Sequence, residues 1–260
     1  MSVTELSIAS TLRQLNLLFK VTGVDLDRKK NNYFSVFMFY HNLVTLQLDL
    51  CAALWFMFDG LTNGSDFVKL TYSAPCITFT ILSNFKVSVY IINEQTMNNL
   101  IKVLSEMEQR NVGEVTKEKE AILKEEIHFL HKLIRVLNYA YLGLIIGFAI
   151  NPLSVLVYKY YRFNKTELIL PYLVKYPFDE YDVRIWPFVY LHQVHAVVIV
   201  ILNLMTIDYM FYTYATYITV QFRLLQHEFG RVMSNPATRT FKEMETKLCS
   251  LVKWHIELIE

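Results

Sequence analysis

Cysteine is rare in this 260-residue chain, which has three of them. Cys51, Cys76 and Cys249 stand far apart, and their spacing fits neither a disulfide framework nor a metal site. Two of the cysteines lie in apolar segments and the third in a charged one, so we interpret all three as structural thiols.

Signatures of catalysis are missing as well. The sequence has no nucleophile elbow, phosphate-binding loop, desaturase-type histidine box or Cys-x-x-Cys pair. His128 and His131 would share one helix face, as would His192 and His195, but the two pairs would lie about 40 Å apart. Each pair alone lacks the further ligands that a metal site needs. We therefore predict no enzyme, no metal and no cofactor.

Glycine is also scarce, with 7 residues, whereas 53% of the chain is hydrophobic and 15% is aromatic. The mean hydropathy is positive, so a membrane protein is a better interpretation than a soluble domain. The net charge is only +1, and no concentrated basic surface favours nucleic acid. The first residues lack the apolar core and the cleavage site of a removable signal peptide.

Four segments are long and apolar enough to cross a bilayer, and the lipid bilayer is thus a predicted partner. They cover residues 34–58, 67–92, 136–158 and 185–207, and the fourth helix is expected to extend to about residue 222. Open strands would leave unpaired backbone groups in lipid, so the predicted fold class is an all-α, multi-span transmembrane helical bundle. Residues 223–260 are predicted to form a cytoplasmic helical segment. The chain ends within an apolar stripe without a helix stop signal, so we expect further spanning helices.

Basic residues predict the orientation. They are abundant before the first span, between the second and third spans, and after the fourth, but absent from residues 59–66. The positive-inside rule therefore predicts a cytoplasmic N-terminus. The glycosylation acceptors Asn63 and Asn164 fall in the two loops that this orientation places outside. Asn164 is the better acceptor, because Asn63 lies too close to the membrane.

Lys86, Asp208 and Asp49 are charged residues that lie within the spans or directly after them. Lys86 and Asp208 lie near the cytoplasmic ends, where we expect the lysine to reach the interface and the aspartate to pair with arginines of the C-terminal segment. Asp49 lies deeper in its span. It is interpreted either as a functional acid or as a partner in helix–helix hydrogen bonding.

A family resemblance rests on the outer connection between the third and fourth spans and on the fourth span itself. The connection contains L-P-Y and then Y-P-F-D, the span begins with WPFVYLHQ, and it leaves the membrane through DYMFYTYATYITVQFRLL. Together with the cytoplasmic N-terminus, these features resemble insect odorant receptors, most closely those of moths and butterflies. The similarity covers the whole chain, and it is carried by the combination because no single motif is diagnostic.

The resemblance implies seven spanning helices, of which this sequence would supply the first four. It further implies an odorant-gated cation channel in the plasma membrane of olfactory sensory neurons, assembled as a heterotetramer with a shared olfactory co-receptor. The seventh helix, which lines the pore in that family, would lie beyond residue 260. The short connection after the fourth span resembles that of a ligand-tuning subunit, since the co-receptor has a longer insertion there.

Aromatic and small polar residues on spans two to four suit a cavity for a small apolar ligand, here an odorant or a pheromone. The proline-rich and aromatic loop before the fourth span would roof it. For any single aromatic residue, ordinary packing or lipid contact is the competing interpretation. By depth alone, the candidate ligand-binding residues are Tyr72, Phe79, Phe148, Asn151, Tyr190 and His195.

Two alternative functions stay open. A chemosensory G-protein-coupled receptor would have its N-terminus outside, an acidic-Arg-aromatic motif at the inner end of the third helix and an outer disulfide. A multi-span transporter would show an inverted repeat or broken helices, for which Pro152 is the single hint.

Overall fold

The computed structural model describes residues 7–24, 33–64, 67–112, 116–164, 166–234 and 241–259. Within these ranges the regular structure consists of eight α-helices, without strands. They are α1 (Ile8–Gln14), α2 (Asn16–Thr22), α3 (Tyr33–Thr62), α4 (Phe67–Ile92), α5 (Glu94–Val112), α6 (Lys117–Phe163), α7 (Trp186–Ser234) and α8 (Phe241–Ile259).

Four of these helices, α3, α4, α6 and α7, contain windows long and apolar enough to cross a membrane. The predicted all-α, multi-span fold class is thereby confirmed. α6 begins well before the predicted span at residue 136, and α7 continues to Ser234, beyond the predicted end at 222. The extension of α6 is rich in charged residues, and that of α7 contains Arg223, Glu228 and Arg231. A helix can continue into water because its hydrogen bonds do not depend on lipid.

Pro152 does not divide α6, which is helical from Lys117 to Phe163. A proline inside a helix removes one backbone donor, but a spanning helix tolerates this when nearby groups satisfy the freed carbonyl. The hint of a broken transporter helix is therefore not realised at this position.

The chain divides into two compact units by its internal contacts. The first unit comprises Met1–Leu15, Gln95–Arg135 and Tyr209–Glu260. The second unit comprises Asn16–Glu94 and Val136–Asp208.

Polar contacts hold α1 within the first unit. The hydroxyl groups of Thr11 and Tyr217 are 3.0 Å apart in a buried hydrogen bond. The backbone amide of Ile8 donates to Oε2 of Glu108 at 3.3 Å, and burial raises the pKa of Glu108 above its ordinary value. The start of α1 thus has an acceptor at the end where helix amides lack partners.

The second unit contains a close approach between the end of α2 and α3. Gly23 follows α2 with φ +75, the left-handed conformation that commonly ends a helix. Nδ2 of Asn42 donates to the carbonyl oxygens of Val21 and Thr22, at 3.1 and 3.3 Å. The side chain of Asn42, on α3, therefore satisfies carbonyl groups that the end of α2 leaves without helical donors.

An ion pair in the second unit joins two spanning helices. Nζ of Lys86 on α4 lies 2.5 Å from Oδ1 of Asp208 on α7. The expected pairing of Asp208 with C-terminal arginines is thus replaced by a partner on a neighbouring span. Pairing two partly buried charges with each other lowers the cost of holding them away from water.

Candidate functional site

An apolar cavity of about 60 Å³ lies inside the second unit. Four helices and one connection contribute to its wall. The lining residues are Asp49 of α3; Cys76, Phe79 and Thr80 of α4; Tyr141, Leu144 and Phe148 of α6; Tyr172 of the connection before α7; and Ala196, Val197, Val200, Ile201 and Leu204 of α7.

The wall formed by α7 is the most firmly packed. Its lining residues recur every three or four positions and form one helix face. Of these, Ala196, Val200, Ile201 and Leu204 are buried. The opposite wall is looser, because Phe79 on α4 and Leu144 on α6 are 43% and 44% exposed in this chain. A change in cavity volume therefore requires less repacking on the side of α4 and α6.

A buried hydrogen bond joins two polar residues of the cavity wall. The hydroxyl group of Tyr172 donates to Oδ1 of Asp49 at 2.7 Å, and both side chains belong to buried residues. Burial, reinforced by the neighbouring Asp49, raises the pKa of Tyr172 well above its usual value. The phenol therefore keeps its proton and remains a donor. Asp49, the acid deep in the first predicted span, thus has its partner in the loop before α7.

The segment that carries Tyr172 is inserted among the helices. Leu170, Tyr172 and Val174 are each buried, and this two-residue spacing is typical of an extended chain that turns alternate side chains inward. The acidic and aromatic patch at residues 177–182 is largely exposed. Of the loop that was expected to roof the cavity, Tyr172, in its first part, belongs to the wall.

Hydrogen bonds anchor this segment to three helices. The anchor on α7 is Gln193, a fully buried residue whose Oε1 accepts from the amide of Tyr172 at 3.3 Å. On α4, the Ser73 hydroxyl donates to the carbonyl oxygen of Leu173 at 2.9 Å, and on α3 the carbonyl oxygen of Ala52 accepts from the amide of Lys175 at 3.2 Å. Backbone groups buried in a loop need such partners, so the position of Tyr172 is set by several contacts.

Two of the predicted ligand-binding residues, Phe79 and Phe148, come together at this cavity, on α4 and α6. Tyr72 lies on α4, but its side chain is outside the described part of the structure. Sequence reasoning missed the lining residues of α7, whose helical spacing was the available signal, and it also missed Tyr141.

The other three candidates lie elsewhere in the second unit and remain predictions. Asn151 is exposed on α6. Tyr190 is buried, its hydroxyl donates to the carbonyl oxygen of Ala149, and its ring packs near Trp186, with ring centroids 5.1 Å apart. Nε2 of His195 lies 3.1 Å from Nε2 of His41 on α3. Depth along a span places a residue at a level of the bundle but does not decide which helix face it occupies.

The two predicted glycosylation acceptors are exposed and follow helix ends. Nδ2 of Asn63 donates to Oδ1 of Asp59 at 2.9 Å. Asn164 directly follows α6 and has φ 51, a left-handed conformation that asparagine adopts more readily than most residues. Both remain predictions as modification sites.

Comparison with solved structures shows a shared fold. The olfactory receptor OR5 from Machilis hrabei in complex with eugenol has a TM-score of 0.75 and 14% identity, over 95% of this chain and 61% of that one. A second structure, of the same receptor, has a TM-score of 0.72 and 16% identity, over 95% and 62% of the two chains. The present chain thus spans about three fifths of the length of that receptor.

The sequence comparisons give the family. No curated protein sequence matches the chain. Residues 66–260 match the family model described as 7tm Odorant receptor. This match covers most of the chain, which therefore belongs to the odorant receptor family.

Proposed function

We propose that the chain is the N-terminal part of a ligand-tuning odorant receptor subunit, and that its cavity binds a small, volatile, apolar odorant or pheromone. The subunit would assemble with an olfactory co-receptor into an odorant-gated cation channel in the plasma membrane of olfactory sensory neurons. The observation that carries this proposal is the apolar cavity lined by residues of α3, α4, α6 and α7 and by Tyr172. Support also comes from the complex of a receptor with the same fold and eugenol.

The size of the cavity implies that side chains move when a ligand enters. Ligand pockets commonly have volumes of about 300–1,000 Å³, whereas this cavity has about 60 Å³. An apolar ligand gains roughly 25 cal/mol for each Å² removed from water, which can offset the cost of opening the looser wall. Binding then opens the channel if the ligand has a higher affinity for the open state than for the closed state.

Alanine at Phe148 or Phe79 tests the cavity. In the full-length receptor expressed with its co-receptor, we expect either substitution to raise the half-maximal concentration of the best odorant about tenfold, because contacts worth about 1.4 kcal/mol are lost. Odorant-evoked currents across a panel of volatile compounds measure the effect.

Phe85 provides the matched control. It is an aromatic residue on the same helix as Phe79, is 65% exposed in this chain, and does not belong to the lining. Phe85→Ala should leave the order of odorant potencies unchanged. If Phe148→Ala and Phe79→Ala also left that order unchanged, the cavity would not be the odorant site.

Asn164 tests the proposed orientation, with the N-terminus in the cytoplasm. We expect Asn164→Gln to abolish a glycan-dependent mobility shift that Asn63→Gln preserves, because Asn63 directly follows α3 and lies close to the membrane. A tag at the N-terminus should become accessible to antibody only after permeabilisation. Labelling of that tag on intact cells would instead favour the orientation of a G-protein-coupled receptor.

A further inference from the structure

Tyr141 belongs to the cavity wall and also to a polar cluster beside it. Its side chain lines the cavity, and its hydroxyl donates to Oδ2 of Asp208 at 2.7 Å. The other carboxylate oxygen, Oδ1, accepts from Nζ of Lys86 at 2.5 Å. The phenol of Tyr141, on α6, thus connects the apolar cavity with an ion pair between α4 and α7.

Asp208 lies on the same face of α7 as the residues that line the cavity. Asp208 stands four residues after Leu204, which places it about one turn, or roughly 6 Å, further along the same face. The side chains of Lys86 and Asp208 are 29% and 24% exposed, so the carboxylate is partly removed from water and depends on its partners. Loss of the phenol would remove one of them.

The helices that line the cavity differ in how much of them the chain buries. In the most apolar window of α7, 50% of the residues are buried, compared with 6% in that of α6. Tyr141 on α6 is half-buried and packs against the cluster containing Leu46 and Leu204. Since the cavity must enlarge to admit an odorant, the side chains of α6 are the ones that can move with the least repacking.

We propose that Tyr141 couples occupation of the cavity to the Lys86–Asp208 ion pair. A ligand in the cavity displaces the ring of Tyr141, which breaks its hydrogen bond to Asp208 and allows the ion pair to rearrange. In the empty state the same hydrogen bond holds the ring in the cavity and opposes binding. This inference rests on the proposed odorant site, and it assigns Tyr141 a role in sensitivity that a purely packing residue would not have.

Tyr141→Phe tests the coupling because it keeps the ring and removes the hydroxyl. We expect the half-maximal odorant concentration to fall about tenfold, the size expected for a lost hydrogen bond to a charged group, and the ligand-free current to rise. Currents are recorded from the full-length receptor with its co-receptor, and surface expression is measured in parallel. Tyr139→Phe is the matched control, since Tyr139 lies on the same helix and is 69% exposed in this chain.

Tyr141→Phe in a receptor that lacks the ion pair tests whether the change in sensitivity depends on that pair. In the Lys86→Gln/Asp208→Asn receptor, which keeps polar side chains without their charges, Tyr141→Phe should change sensitivity by less than about threefold, because interacting residues are non-additive. An equal effect of Tyr141→Phe in both backgrounds would show that the hydroxyl does not act through the charged Lys86–Asp208 pair, and would overturn the coupling.

Phe148→Ala, recorded in the same assay, separates the two proposals. If Phe148→Ala shifts odorant potency while Tyr141→Phe leaves sensitivity unchanged or lowers it, the cavity stands and the coupling is rejected. If neither substitution has an effect, the odorant site itself is rejected and the coupling falls with it. Greater sensitivity in Tyr141→Phe together with lower sensitivity in Phe148→Ala supports both.

Discussion

Replacing Gly23 with alanine is expected to remove most of the folded receptor from the cell surface. Gly23 has φ +75, and a Cβ atom there would lie 2.5 Å from the backbone nitrogen of Phe39 and 2.6 Å from its Cα. Alanine would therefore add the cost of a left-handed conformation to a backbone clash that no side-chain rotation relieves. Together these cost about 2 to 5 kcal/mol, comparable with the whole stability of many domains.

Gly64 is a matched control for this prediction. It also has a positive φ, +69, but a Cβ atom there would meet nothing within 4 Å. Gly64→Ala should therefore cost about 1 kcal/mol, from the backbone conformation alone. Surface labelling and the melting temperature of the solubilised receptor measure both variants. Equal losses for Gly23→Ala and Gly64→Ala would show that the close approach of α2 to α3 does not limit stability.

Tyr172→Phe is expected to destabilise the second unit by about 2 kcal/mol, because it leaves the buried carboxyl group of Asp49 without its phenol donor. The Tyr172 ring would still fill its place in the cavity wall, so the loss reports the hydrogen bond and not packing. The same variant should raise the half-maximal odorant concentration, since the segment that contributes Tyr172 to the cavity wall loses one of its attachments. Melting temperature and odorant-evoked currents measure the two effects.

A double substitution separates the contribution of the hydrogen bond from the cost of leaving the Asp49 carboxyl group without a donor. Replacing both partners, as Tyr172→Phe with Asp49→Leu, removes the unsatisfied acceptor as well as the donor, and should cost less than the sum of the single changes. Tyr181→Phe is the control on the same loop, because Tyr181 is 42% exposed. Strictly additive effects of Tyr172→Phe and Asp49→Leu would show that the two side chains do not stabilise each other.

The helical fold was predictable from the sequence because length and hydropathy act locally. Predicted span 67–92 has the same limits as α4, and span 34–58 lies within α3. The ends of α6 and α7 were harder to predict. Hydropathy locates the part of a helix that lies in lipid, but a helix ends where backbone hydrogen bonding ends, and charged turns outside lipid continue it.

The candidate site was predictable in part. Phe79 and Phe148 were selected by depth and do line the cavity, whereas Asn151, three residues after Phe148 on α6, is exposed and does not belong to the lining. The intramembrane position of Asp49 marked it as unusual, but its partner Tyr172 is 123 residues away in the chain. No local pattern indicates such a pair, because the contact depends on how a loop enters the bundle.

The sequence alone determined that this chain crosses a membrane as helices, since a segment of about 20 predominantly apolar residues satisfies its backbone hydrogen bonds in lipid by forming a helix. Its motifs also indicated the family to which it belongs. Only the tertiary structure decided which side chains meet. Lys86 pairs with Asp208, and Tyr141 joins them to the cavity, because the rotation and contact of separate helices bring distant residues together, and neither is encoded in the spacing along one helix.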